Sequence, residues 1–280
     1  MTINQTSIAN IGIPVNTLPM DEIERYVPKL ADLAHAQGTL CTASCPVGSI
    51  LTLHLIQRED FEFAIRTLLH KGEPVPIPSS MGAMFINGLW NYPKIKRFLE
   101  GFESSDEGMA AVMADKQAFK TQLIILSNGP YSAVSAAEME LDEEAWIDHS
   151  LAIRFYHELA HHVCRMRYPQ NIDALRDEVI ADMSGIVGAF GSYDVNTALL
   201  FFGIDADSAR SDECTNASPI REGGRLWNYL QDDDDPAAAV QRVKAIVARI
   251  ADVVERTRDG RDPLDLIASQ EFQDAIVLIG

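Results

Sequence analysis

Apolar positions recur at helical spacing through residues 20–37 (MDEIERYVPKLADLAHAQ), ahead of Gly38, and again through 59–71 (EDFEFAIRTLLHK), ahead of Gly72. Both stretches predict helices that stop at a glycine. Residues 72–80 (GEPVPIPSS) hold three prolines, which predicts an extended connection. A further helical pattern runs through MFINGLWNYPKIKRFLEGF (84–102), interrupted at Pro93. The short run TQLIILS (121–127) is apolar and rich in β-branched residues, and Asn128-Gly129-Pro130 closes it. It predicts the clearest strand of the chain.

Residues 143–167 begin with carboxylates and end with basic residues ahead of a proline, the order that a helix dipole favours. One long helix is expected there. A second is expected after Pro169 in NIDALRDEVIADMSGIVGAFG, with Asn171 as its N-cap. Gly185, Gly188 and Gly191 recur every third residue on it, a spacing that lets another helix approach closely. A third helix follows Asp235 as N-cap and Pro236 at the first helical position. The acidic run at 232–235 lacks the central glycine and closing glutamate of a calcium loop and reads as solvated acids at a helix start. These elements predict an α+β chain, predominantly helical, either as a mainly helical region over 1–110 and a second region over 111–280 or as one continuous domain.

Composition narrows the function. The chain has 280 residues, 47% of them hydrophobic, and a net charge of −18. That charge argues against nucleic acid and against anionic membrane surfaces, because both would repel it. No run reaches the roughly 18 apolar residues of a membrane span, and the start lacks the basic and apolar regions of a secretory signal. A soluble, cytoplasmic protein is expected. Its four cysteines, Cys41, Cys45, Cys164 and Cys214, are too sparse for a disulfide framework and lack paired CxxC units. They read as small buried hydrophobes.

The candidate chemistry lies in HELAH, residues 157–161. On a helix His157 and His161 share one face about 6 Å apart, and Glu158 stands beside them. Two neutral imidazoles can then hold Zn2+ while Glu158 takes a proton from the water it activates. The next helix repeats the spacing with Glu178 and Asp182. If the two helices form a hairpin, His161 and Glu178 both lie roughly 9–10 Å from the turn and come level. Glu178 would complete a His2Glu set, and Asp182 would accept the outer N–H of His157. The competing reading is an amphipathic helix pair with solvated acids and core histidines. It leaves unexplained why two carboxylates and two histidines converge on apolar faces.

Other metal patterns fail. In the HExxHxxGxxH pattern a third histidine, ten residues beyond His157, would fall where Arg167 stands, and the intervening glycine where Cys164 stands. Cys164 lies about 10 Å along the axis from His157, too far to share one tetrahedral ion. A carboxylate-bridged di-iron bundle needs a second Glu-x-x-His, which the chain lacks.

HELAH followed by a Glu-x-x-x-Asp helix resembles the gluzincin group of zinc metallopeptidases over residues 143 to about 190. That resemblance implies His157, His161 and Glu178 as zinc ligands, Glu158 as general base, Asp182 as the residue that orients a histidine, and a peptide or protein substrate. It implies a zincin-like helix pair beside a small sheet whose edge strand binds extended peptide, for which TQLIILSNGPYSAV is the candidate. It also implies a group that stabilises the oxyanion. Tyr131, Tyr193, Arg221, Arg225 and Tyr229 are the candidates, and the choice falls on Tyr229 or Arg221. The alternative functional class is a catalytically silent member of the same fold that binds a peptide or protein partner.

Overall fold

The computed structural model describes residues 8–168, 173–204, 220–221, 224–230 and 235–277. Five strands form one mixed sheet: β1 (Val15–Leu18), β2 (Gly38–Cys45), β3 (Gly48–Leu55), β4 (Ala83–Trp90) and β5 (Lys120–Ser127), in the order β1-β2-β3-β5-β4. The β3–β5 pair is parallel and the other three pairs are antiparallel. The helices are α1 (Ile23–Tyr26), α2 (Arg58–Leu69), α3 (Tyr92–Leu99), α4 (Ser105–Ala114), α5 (Glu143–Arg167), α6 (Ala174–Phe190), α7 (Val195–Phe201), α8 (Pro236–Thr257), α9 (Pro263–Ala268) and α10 (Gln270–Val277). The chain is thus predominantly helical α+β, as its patterning predicts.

The sheet is covered on both faces, which explains the unbroken apolar run of β5. Leu123 and Ile125 pack with Leu53 and Leu55 against Phe61 and Ile65 of α2. Ile124 and Leu126 face the other way, into the larger core shared by α5, α6 and α8. Because β5 sits between β3 and β4, one sheet spans the boundary expected near residue 110.

Helix α5 matches its predicted limits, with the Asp142 side chain accepting from the Ala145 N–H. It is buried on most sides, so it carries its site into the middle of the fold. Helix α6 begins later than expected. Its N-cap is Asp173, whose carboxylate accepts from the Arg176 N–H, and Asn171 lies outside the described residues. A Cβ on Gly185 would stand 2.8 Å from the Ile153 carbonyl oxygen, and one on Gly188 would stand 2.2 Å from the Tyr156 ring. These two glycines set the close approach of α6 to α5. Gly191 has a different job: at φ +78 it closes α6 in the left-handed conformation. Helix α8 begins with Asp235 and Pro236 as predicted and buries Val240, Val243, Val247, Ile250 and Val254 along one stripe.

Two expectations are corrected. The helix expected over 20–37 is only α1 flanked by tight 3-10 turns, because Val27 precedes Pro28 and takes φ −136, ψ 80. MFINGLW is strand β4 and not helix, and Pro93 does not interrupt a helix but lies in the first turn of α3, where its missing N–H costs nothing. The β2–β3 hairpin, whose two strands join through Pro46 and Val47, occupies a stretch to which the patterning assigned no element. No helix among the described residues is long and apolar enough to cross a membrane.

Candidate metal centre

The α5–α6 hairpin brings His157, His161 and Glu178 together as the sequence count predicts, with one ligand atom from each lying within 4.8 Å of the others. His157 Nε2 and His161 Nε2 stand 3.0 Å apart. The Glu178 carboxylate lies 3.5 Å from the first and 3.6 Å from the second. Each outer nitrogen has its own carboxylate: His157 Nδ1 lies 3.0 Å from Asp182 Oδ1, and His161 Nδ1 lies 2.8 Å from Asp177 Oδ2. Since a carboxylate only accepts, each Nδ1 carries an N–H, which leaves Nε2 as the nitrogen that presents a lone pair when the ring is neutral. With both rings neutral, two lone pairs and a carboxylate converge with no donor among them. Such a set takes up a cation, either a proton or a metal ion. Nitrogen and oxygen donors of this kind suit zinc.

The electrostatics agree with that donor set. Burial works against a charged His161, but Asp177 at its Nδ1, with Glu178 and Glu158 nearby, holds its pKa up at about 9. Burial likewise raises the pKa of Glu158, which is 7% exposed and faces the Phe85 backbone N–H. Asp182 is fully buried. Burial alone would raise its pKa, but the Arg225 guanidinium and His157 hold it at about 2, so it stays ionised.

Asp182 is more than an orienting acid. Its Oδ1 accepts from the Tyr131 hydroxyl at 2.7 Å, and Arg225 binds its Oδ2. Arg225 Nη1 also donates to Tyr131 Oη at 2.8 Å. Tyr131 and Arg225, two of the five oxyanion candidates, are thus committed to supporting Asp182. Tyr229 lines the cleft and hydrogen-bonds Glu178. Arg221 is corrected: it pairs with Glu138 at 2.6 Å and does not line the cleft, so it is not placed to meet a substrate there. Tyr193 does not line it either.

The cleft encloses about 530 Å³ between α5, α6 and the start of β4. Strand β5 is paired on both sides and has no free edge for a peptide, which corrects the expected binding strand. The edge is β4. Ser127 N–H donates to the Gly82 carbonyl at 2.8 Å. The antiparallel alternation then turns the backbone groups of Ala83, Phe85 and Asn87 outward. Gly82 lies against Arg154, Phe85 against Glu158, and Asn87 within 3.2 Å of Arg165. Five strand residues and eleven helix residues each advance roughly 16–17 Å, so the strand tracks the helix in step.

Some functional residues escape sequence reasoning. Asp177 had a signal, since it precedes Glu178 and so lies on an adjoining part of the same helix. Arg154 stands one turn before His157, on the same helix face. Arg225 and β4 had none, because only the folded chain brings them to α5. The chain belongs to a family of unknown function (DUF7005), whose pattern matches residues 33–273 and so spans the whole site. No curated protein and no solved structure is similar enough to match.

Proposed function

We propose that this family member is a zinc-dependent hydrolase, a metallopeptidase that cleaves peptide bonds with Glu158 as the general base. The observation that carries the reading is the convergence of two acceptor nitrogens and the Glu178 carboxylate, with buried Glu158 adjoining them. When bound there, zinc supplies Lewis acidity that makes water a nucleophile near neutral pH. His157, His161 and Glu178 would hold the ion, while Asp182 and Asp177 fix the two rings. Glu158 takes the proton of the attacking water and passes it to the leaving amine. Tyr229 is placed to donate to a developing oxyanion once its bond to Glu178 is released. The outward backbone groups of Ala83 and Asn87, with the Phe85 carbonyl, would hold an extended substrate along β4. Cys41, Cys45 and Cys164 are free thiols, which suits a reducing compartment such as the cytoplasm.

The test is zinc content per chain, measured beside peptide turnover, for the native protein, Glu158→Gln and His161→Ala. Glu158→Gln should keep its zinc and lose turnover, and His161→Ala should lose both. Turnover in Glu158→Gln equal to native would refute the base. Bound zinc without turnover across a broad peptide library would favour a peptide-binding protein.

A further inference from the structure

Arg154 lies one turn before the metal site on α5 and lines the same cleft, yet it is only 3% exposed. Its Nη1 donates to the Gly129 carbonyl at 2.5 Å and its Nη2 to the Pro130 carbonyl at 2.7 Å. Its guanidinium sits 5.8 Å from the Tyr131 ring centroid. On the other side it rests on Gly82, where a Cβ would stand 2.2 Å from Nε. Two carbonyls and a ring face it, and none of them neutralises its charge.

The other buried guanidinium of the cleft is treated differently, since Arg225 is bound to Asp182. Among the described residues no carboxylate forms an ion pair with Arg154. The charged groups that act on it are Glu158, one turn further along α5, and Arg58, and Arg58 is already paired with Glu62 at 2.9 Å. Burial lowers the Arg154 pKa to about 10, so the group remains a cation at neutral pH. An uncompensated buried charge is costly unless something completes it. Here the open side is the cleft.

We infer that Arg154 is a specificity-determining anion subsite, which selects peptides carrying a carboxylate near the bond to be cleaved. The inference rests on the peptidase reading for the meaning of that bond, though not for the anion site itself. Arg154 and Glu158 are four residues apart on one helix face, about 6 Å along the axis. An extended chain advances about 3.3 Å per residue. The carboxylate therefore belongs about two residues from the reacting carbonyl, on the side nearer Gly82. It is either an acidic side chain or the terminus of a short peptide, and the planar fork of Arg154 can bind both.

The experiment uses the full chain stripped of metal, so that a carboxylate cannot gain affinity from zinc. Three probes are compared by calorimetry: N-acetyl-trialanine with a free C-terminus, its C-terminal amide, and N-acetyl-Ala-Glu-Ala-amide. At least one anionic probe should bind about tenfold more tightly than the neutral amide, and which one binds identifies the source of the carboxylate. That preference should vanish in Arg154→Gln and persist in Arg165→Gln, which removes a cation from the same cleft. Arg154→Lys should keep part of it, because it retains charge without the fork. Should either variant at 154 fail to fold, the Arg154 side-chain N–H resonances of the native protein must shift saturably with the anionic probe. No preference for an anion, or a preference that survives Arg154→Gln, overturns the inference. Anion preference in a protein that binds no zinc would leave Arg154 standing while the peptidase reading falls.

Discussion

Asp182 Oδ1 lies 3.0 Å from His157 Nδ1, and the same oxygen receives the Tyr131 hydroxyl at 2.7 Å. One buried carboxylate thus fixes the Nδ1–H of a histidine in the candidate metal set while Tyr131 and Arg225 fix the carboxylate. The Asp182→Asn variant can present either a donor or an acceptor to His157 and loses the charge opposite Arg225. Zinc affinity, measured by chelator competition, should fall about 10–100-fold in this variant with the fold retained. Unchanged affinity would remove Asp182 from the centre.

Tyr229 and Arg221 should separate cleanly. Tyr229→Phe deletes a phenol that reaches Glu178 from the cleft wall. We expect kcat to fall about 100-fold with zinc content unchanged. Arg221→Ala removes a partly exposed pair with Glu138. It should cost about 0.5 kcal/mol of stability and leave turnover alone. Steady-state kinetics and denaturant titration of both variants check the contrast.

The α5–α6 contact is tested at Gly188. A methyl group there would enter the Tyr156 ring, and ring and helix must shift to admit it. Gly188→Ala should lower stability by about 1–3 kcal/mol, read as a fall in denaturation midpoint. The intrinsic preference of helices for alanine over glycine opposes this with about 1 kcal/mol. A more stable variant would show that the helices are not in close contact at this position.

Burial pushes the Cys41 thiol up to about 12. In the unfolded chain a cysteine ionises near 8.5, so above that pH the unfolded state has lost a proton that the folded state retains. Its contribution to stability is full below about pH 8.5 and declines as pH rises from there towards 12, by about 1.4 kcal/mol per pH unit. Cys41→Ala should show a shallower alkaline decline than the native chain in urea titrations between these limits. Parallel curves would mean that the thiol ionises in the folded protein as well.

Zinc should raise the melting temperature of the metal-stripped protein in a concentration-dependent way, because only the folded hairpin brings the three ligands together. His161→Ala should show little shift. An equal shift in both would place the ion elsewhere.

The metal set was legible in the sequence because it is helical. Four-residue spacing places His157 with His161 and Glu178 with Asp182 on single faces, and the short link past Tyr168 makes the helices antiparallel neighbours with predictable levels. The helix limits at Asp142 and Asp235 were equally local, being set by capping side chains. The sheet edge was not legible. The strand with the clearest apolar run lies inside the sheet, and the weaker β4 lies at its rim beside Glu158. Strand order depends on pairing between distant segments, which no local pattern encodes. The same holds for Arg225, which reaches Asp182 across 43 residues of chain. It holds too for the choice between Arg221 and its neighbours, which differ only in the direction that the folded backbone points them. Local periodicity determined which residues share a helix face. Only tertiary packing decided which distant charges, strands and carbonyls that face meets.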